Sequence, residues 1–152
     1  KDGPTSLILT RQGLPILEGT GREALKGGYV LKDTGDNIDI ILMASGSEVQ
    51  LIYKAADILK EKGISSRVVS MPSWELFEQQ SEEYKESVLP KNIRKRLAVE
   101  AASHLGWHKY VGLDGEIISM DGFGASAPGE LLFERFGFTV DNVVEKALKL
   151  MK

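Results

Sequence analysis

Small polar residues follow an almost continuous apolar run at residues 38–44 and precede a helical pattern of apolar residues. The turn between them contains Ser45, Gly46 and Ser47, which bring hydroxyl groups and backbone N–H groups to the start of the predicted helix. Helix starts of this kind attract anions, so the turn is a candidate loop for a phosphate or carboxylate group. It lacks the lysine and the spacing of a P-loop, and a helix cap made by Ser47 and Gln50 explains the same residues without a ligand.

An arginine follows the first apolar segment of the chain. Residues 6–10 read SLILT, which predicts a short strand, and Arg11 comes directly after it. The planar guanidinium binds phosphate or carboxylate oxygens in pairs, and the end of a strand is a suitable place for such a contact. Arg11 is therefore a candidate anion ligand, although a surface ion pair explains it equally well.

The sequence GFGASA at residues 122–127 lies between a predicted strand and a predicted helix, as the glycine-rich turn of dinucleotide-binding domains does. That fingerprint also requires an acid at the end of a second strand about 20 residues later, where this chain predicts a helix starting at Val140. Ser126 resembles the nucleophile of a hydrolase elbow, but Pro128 replaces the second glycine and both histidines precede the serine. Glycines that permit a sharp turn are the favoured interpretation.

The two histidines, His104 and His108, are spaced so that one helix face could present both to a metal ion. Gly106 interrupts that helix and no third ligand lies close in sequence, so a histidine pair without a metal is favoured. The basic residues at 91 and 94–96 predict a solvated face, because acids at 75–86 balance them. Trp74 and Trp107 predict packing rather than base stacking, since basic and aromatic residues do not alternate around them.

Composition narrows the class of protein. The 152 residues are 42% hydrophobic and 27% charged, as in ordinary globular domains. With 19 Lys and Arg against 22 Asp and Glu the net charge is −3, so we expect no nucleic-acid partner. The absence of cysteine excludes disulfides and thiolate sites. No apolar run approaches the length of a membrane span, so we expect a soluble, cytoplasmic protein. Because the chain begins without methionine, we also expect a piece of a longer protein.

Several elements can position these residues. Apolar runs predict strands at residues 29–32, 38–44, 66–71, 96–100 and 116–120, and helical spacing predicts helices at 47–62, 73–80, 82–89, 128–136 and 140–151. A brief turn or helix is predicted at 106–110, and residues 12–28 read as a linker arm. The alternation predicts an α/β fold, a three-layer αβα sandwich with a mostly parallel, mixed sheet.

Taken in order, the segments resemble the carboxyl-terminal part of transketolases. The resemblance is carried by GPTSLILTRQ at 3–12, GGYVLK at 27–32, ASGSE at 44–48, RVVSMP at 67–72, SVLP at 87–90, GWHKYVG at 106–112, GFGASAP at 122–128 and FGFTVDN at 136–142. It implies that residues 1–28 are the end of a pyrimidine-binding domain with a linker arm, and that residues 29–152 are the C-terminal α/β domain.

The resemblance also implies an activity for the parent enzyme. Transketolases transfer a two-carbon ketol unit from a ketose phosphate to an aldose phosphate in the pentose phosphate pathway, use thiamine diphosphate with Mg²⁺, and work as homodimers. The family motif that holds magnesium is absent from these residues, so we expect the fragment to bind no cofactor, to carry no catalytic residue and to be inactive alone. Its expected partners are the remaining domains of the enzyme and sugar phosphates, with no nucleic acid and no membrane.

One functional residue carries over by resemblance. The arginine of the family's LTRQ segment contacts the sugar phosphate, and Arg11 occupies that position; Gly13 stands where many relatives have asparagine. Three alternatives stay open: an anion-binding regulatory module built on Ser45, Gly46 and Ser47, a nucleotide-binding oxidoreductase domain, and a related thiamine enzyme such as dihydroxyacetone synthase.

Overall fold

A five-stranded sheet lies at the centre of the structure, a computed structural model that describes residues 3, 4 and 6–152. Strands β1 to β5 are Tyr29–Asp33, Ile40–Ala44, Ser66–Ser70, Arg96–Val99 and Glu116–Ile118. Their spatial order is β1-β3-β2-β4-β5. β1 runs antiparallel to β3, and every other neighbouring pair is parallel. The predicted mostly parallel, mixed sheet is confirmed.

Helices cover both faces of this sheet. They are α1 Val49–Glu61, α2 Trp74–Glu78, α3 Glu82–Val88, α4 His108–Val111, α5 Gly129–Arg135 and α6 Val140–Leu150, with 3-10 helices at Arg22–Lys26 and Gly46–Glu48. Helices α1 and α6 pack on one face against Leu42 and Val99, while α2, α3 and α4 pack on the other against Ile41 and Met43. All five residues of β2 are buried, as expected for a strand covered on both faces. This arrangement confirms the three-layer αβα prediction.

Local hydrogen bonds explain where several helices begin. The hydroxyl of Ser73 accepts from the N–H of Leu76 at 3.3 Å, and that of Thr139 accepts from the N–H of Asn142 at 3.2 Å, so these two residues cap the starts of α2 and α6. The cap predicted for Ser47 is wrong. Ser47 lies inside the 3-10 helix that precedes α1, and its hydroxyl donates to a carboxylate instead of accepting from the backbone.

The strand predicted at residues 6–10 is also wrong. These residues belong to no strand, and Leu7, Ile8 and Leu9 are exposed. A strand needs a neighbour to pair its backbone N–H and C=O groups, and none of the strands in the described part of the chain lies beside this segment. Residues 1, 2 and 5, which belong to the predicted amino-terminal region, lie outside the described residues.

Two further predictions concern charged and aromatic residues. Trp107 is fully buried, which confirms packing, and its ring meets that of Trp74 edge to face with centroids 5.1 Å apart. The solvated face predicted for the basic cluster is wrong for Arg96, which donates to the backbone carbonyls of Leu89, Pro90, Ile93 and Tyr110. None of the helices among the described residues combines the length and the apolar character that crossing a membrane requires.

Candidate functional site

The crevice between β2 and β4 is the place where ligands are usually sought in such a sheet. From β2 the chain crosses to β3 on one side, and from β3 it crosses back to β4 on the other side. The chain leaves β2 for α1 on one face of the sheet and leaves β4 for α4 on the other face, and such a reversal forms a binding crevice in many open α/β sheets. The residues that follow these two strands are Ser45 and Glu100.

Carboxylates occupy this crevice. Ser45 Oγ donates to Glu100 Oε2 at 2.7 Å, and Ser47 Oγ donates to Glu48 Oε1 at 2.5 Å. Glu48 is only 4% exposed. Burial raises the pKa of its carboxyl above the ordinary value, the nearby charge of Glu100 adds to this, and the hydroxyl of Ser47 acts in the opposite direction. The hydrogen bond from Ser45 to Glu100 joins the ends of the two central strands.

These contacts bear on the predicted anion loop at Ser45, Gly46 and Ser47. Both serine hydroxyls already donate to carboxylates, and two carboxylates beside the loop oppose the approach of a further negative charge. An anion there would have to bind through backbone N–H groups. The anion loop stays a prediction, and the side chains around it do not favour it.

The amino-terminal arm, which in the structure comprises residues 6–28, crosses the carboxyl end of the sheet beside this loop. Residues 14–17 and Thr20 line one wall of a cavity of about 330 Å³, and Gly46, Ser47 and Ser70 lie in the opposite wall. Leu17 and the arm residue Ala24 also pack against the core. The arm is therefore anchored to the domain from residue 14 onward.

Arg11 lies on the exposed part of the arm. Among residues 3, 4 and 6–152, none of the carboxylates forms an ion pair with its guanidinium. Its neighbour Gln12 donates its backbone N–H to Thr10 Oγ1 at 3.3 Å, and the Gln12 side chain lies against Gly129. The segment thus presents a charged fork to solvent close to the start of α5.

The glycine-rich segment at residues 122–127 is an exposed loop that leads from β5 to α5. Phe123 at its tip is fully exposed. In the described part of the chain none of the strands follows β5, so the acid-tipped second strand of a dinucleotide site is missing. The segment is therefore a connecting loop without that site. Neither Gly122 nor Gly124 has a positive φ, so the structure does not show a sharp turn for which glycine is required.

The structure brings the two histidines together with an aspartate that the sequence did not single out. His104 Nδ1 lies 2.5 Å from Asp121 Oδ1, and the ring centroids of His104 and His108 are 5.2 Å apart. The hydrogen bond from His104 holds the pKa of the Asp121 carboxyl below its ordinary value. Asp121 follows β5 and His104 follows β4, and because these strands are parallel neighbours their ends lie side by side. That strand pairing is the signal that could have found the contact.

Magnesium, which the resemblance implies for the parent enzyme, requires several oxygen ligands. Among the described residues, none of the groupings of His, Asp and Glu brings three or more side chains into position to hold a metal ion. These residues do not fit a magnesium–diphosphate site.

Comparison with known proteins places this geometry in a family. The family model described as "Transketolase-like TK C-terminal domain" matches residues 27–139. A transketolase of Staphylococcus aureus (strain MW2) is 54% identical over 151 residues, which cover 97% of this chain and 23% of that protein. A transketolase of Halalkalibacterium halodurans is 53% identical over 156 residues, covering 100% of this chain and 23% of the relative. The chain thus spans about a quarter of the length of these curated relatives.

Solved structures of transketolases superpose on this chain. A transketolase from Pichia stipitis, described as a complex with sedoheptulose 7-phosphate, superposes with a TM-score of 0.85 at 44% identity, covering 93% of this chain and 20% of that one. A transketolase from Leishmania mexicana superposes with a TM-score of 0.86 at 37% identity, with the same coverage of 93% and 20%. Sequence and fold lead to one conclusion: the chain belongs to the transketolase family and corresponds to its C-terminal domain.

Proposed function

We propose that this chain is the C-terminal part of an enzyme that transfers a two-carbon ketol unit from a ketose phosphate to an aldose phosphate, with Arg11 binding the phosphate of the sugar. The observation that carries the proposal is the agreement of fold and sequence with the Pichia stipitis transketolase, which is described as binding sedoheptulose 7-phosphate. The family match over residues 27–139 supports the same assignment.

The chemistry of Arg11 fits this role. A guanidinium donates two parallel N–H groups to two phosphate oxygens, and it keeps its charge at any physiological pH. Arg11 is exposed on the arm and has no carboxylate partner among the described residues. A charged fork that meets no carboxylate in residues 3, 4 and 6–152 is available for a phosphate. Arg11 binds and orients the substrate and takes no part in bond making.

The domain itself is proposed to be structural and inactive alone. Thiamine diphosphate supplies the carbanion chemistry of ketol transfer when it is bound, and we place it, with Mg²⁺, on the parts of a full-length enzyme that lie outside this chain. Leu7, Ile8 and Leu9 are 79%, 94% and 74% exposed, and a run of exposed apolar side chains supports packing against those other domains. We also propose that the parent enzyme is a homodimer and lies in the cytoplasm.

The test replaces the matching C-terminal segment of the Staphylococcus aureus transketolase with residues 1–152 of this chain. The resulting chimaera should convert sedoheptulose 7-phosphate and an aldose phosphate, whereas the isolated chain should not. Arg11→Ala should raise the KM for the sugar phosphate by about 10- to 100-fold, because a charge-assisted contact is lost from both the bound substrate and the transition state. The kcat should change much less.

Arg22→Ala is the matched control, since Arg22 is a second exposed arginine on the same arm. Its KM should equal that of the unaltered chimaera. A chimaera that folds as a dimer but transfers no ketol unit would contradict the proposed activity. An unchanged KM for Arg11→Ala in an active chimaera would contradict only the role of Arg11.

A further inference from the structure

The only two histidines of the chain are brought into contact by a turn. His104 and His108 have ring centroids 5.2 Å apart and ring planes inclined at 71°. They do not share a helix, because α4 begins at His108. Gly106 adopts a φ of 89°, and the N–H of Trp107 donates to the carbonyl of His104 at 3.1 Å, which closes the turn. The buried ring of Trp107 anchors this turn to the core.

Asp121 favours one tautomer of His104. Its carboxylate lies 2.5 Å from Nδ1, so the neutral imidazole holds its N–H there and keeps the lone pair on Nε2. When a histidine binds a metal through one ring nitrogen, its second ring nitrogen usually donates to a carboxylate. This hydrogen bond fixes the orientation of the ring and raises the basicity of the metal-binding nitrogen. His104 thus has the environment of a metal ligand.

The spacing and surroundings of the two rings agree with this role. Two imidazoles that bind one zinc ion through nitrogens about 2.0–2.1 Å from the metal have ring centroids roughly 5 Å apart. A cavity of about 350 Å³, lined by His104, His108, Ser119 and Asp121, opens beside the pair and has room for water ligands. The His104 side chain is 39% exposed, so an ion can reach it from solvent.

We propose that His104 and His108 bind one divalent transition-metal ion such as Zn²⁺ or Ni²⁺ through their imidazole nitrogens, with Asp121 orienting His104 and water completing the coordination. Imidazole suits these ions, whereas Mg²⁺ prefers oxygen ligands, so this site is chemically distinct from a magnesium site. Among the described residues, no three or more His, Asp and Glu side chains are arranged to hold a metal ion together. The proposed site therefore has only the two imidazoles as protein ligands. The proposal does not depend on the ketol-transfer activity.

Titration calorimetry of the 152-residue chain with Zn²⁺ at neutral pH tests the site. We expect one ion per chain, and the chain offers no other imidazole or thiolate that could mimic the result. His104→Ala and His108→Ala should each weaken binding at least about 10-fold, because one ligand nitrogen is lost. Asp121→Asn should weaken it by about 10-fold or more through the loss of support for His104. Asp36→Asn, which removes an exposed carboxylate elsewhere, is the control and should bind as the unaltered chain does.

A second measurement keeps the test independent of protein stability. Nitrogen NMR of the two imidazoles should show both rings shifting together on saturation with Zn²⁺, with the metal on Nε2 of His104. Binding weaker than about 1 mM, unaltered affinity in either alanine variant, or metal that only bridges two chains would each overturn the proposal.

Discussion

The side chain of Gln12 lies against Gly129, the first residue of α5. A β-carbon at residue 129 would stand only 2.8 Å from Gln12 Nε2, well inside van der Waals contact. The neighbouring residues 8–11 of the arm are exposed. This contact therefore joins the segment that carries Arg11 to the domain, and the absence of a side chain at residue 129 permits it.

Gly129→Ala should loosen the arm without destabilising the domain. The atom that the new β-carbon would meet, Gln12 Nε2, is the end of a flexible side chain and can move away. Because alanine is also a better helix former than glycine, the free energy of unfolding should stay the same or rise by a few tenths of a kcal/mol. Trypsin cleavage after Arg11 should become severalfold faster, because Gln12 can no longer rest on α5. Mass spectrometry of samples taken over a time course measures the rate of this cleavage.

Gly122→Ala is the control for this experiment, since a β-carbon there would meet no atom within 4 Å. Its cleavage rate should equal that of the unaltered chain. Equal rates for Gly129→Ala as well would show that the contact does not restrain the arm.

Arg96→Met should destabilise the fold by about 2–4 kcal/mol. The guanidinium donates to four backbone carbonyls, of which Leu89 and Pro90 follow α3 and Tyr110 belongs to α4, and the variant leaves these oxygens without their charged donor. Arg96→Lys should recover little, because an ammonium cannot reproduce the planar fork. Urea denaturation gives the free energies of unfolding.

Arg94→Met provides the comparison within the same basic cluster. Arg94 is exposed and pairs with Asp114 at 2.5 Å on the surface, so its loss should cost no more than about 1 kcal/mol. Similar losses at residues 94 and 96 would refute the structural role assigned to Arg96.

Glu48→Gln should change how stability depends on pH. Burial and the nearby Glu100 raise the pKa of Glu48 in the folded protein above the ordinary value of 4.5. Between these two values the folded state holds a proton that the unfolded chain has released, so the free energy of unfolding falls as the pH rises through this window. The variant lacks this proton. The stability of the unaltered chain minus that of the variant should therefore decrease with rising pH and level off above the folded-state pKa.

Urea denaturation at intervals from about pH 4 to about pH 8 measures this difference. Glu61→Gln, at the end of the same helix α1, controls for the loss of a negative charge. A difference between the unaltered chain and Glu48→Gln that is constant over the whole range would refute the buried-carboxyl explanation.

The fold could be predicted for those elements whose hydrophobic residues recur with the spacing of the face that the element buries. The apolar spacing of α1 and α6 and the continuous apolar run of β2 each reflect the surface that the element buries, so type and position followed directly. Capping at Ser73 and Thr139 could be predicted for a similar reason, because a cap is a contact between residues three apart.

Contacts between distant segments could not be predicted in the same way. SLILT at residues 6–10 has the composition of a strand, but composition does not reveal whether a partner strand exists. Arg96 lies in a basic cluster whose charge pattern favours solvent, yet carbonyls near the ends of α3 and α4 converge on it. The contact of His104 with Asp121 depends on the pairing of β4 with β5. The position of Arg11 after an apolar segment made it a candidate anion ligand but explained a surface ion pair equally well, and only the resemblance to a family favoured the sugar phosphate.

The reversed direction of β1 determines where the preceding segment enters the domain. Tyr29, the first residue of β1, pairs with Ser70, the last residue of β3. The amino end of β1 therefore stands level with the carboxyl ends of the parallel strands. If β1 ran parallel to β3, residue 28 would lie at the amino ends of the parallel strands, roughly 15 Å away. Inverting one edge strand thus brings any covalently attached upstream part of the protein to the side of the sheet where Ser45 and Glu100 meet.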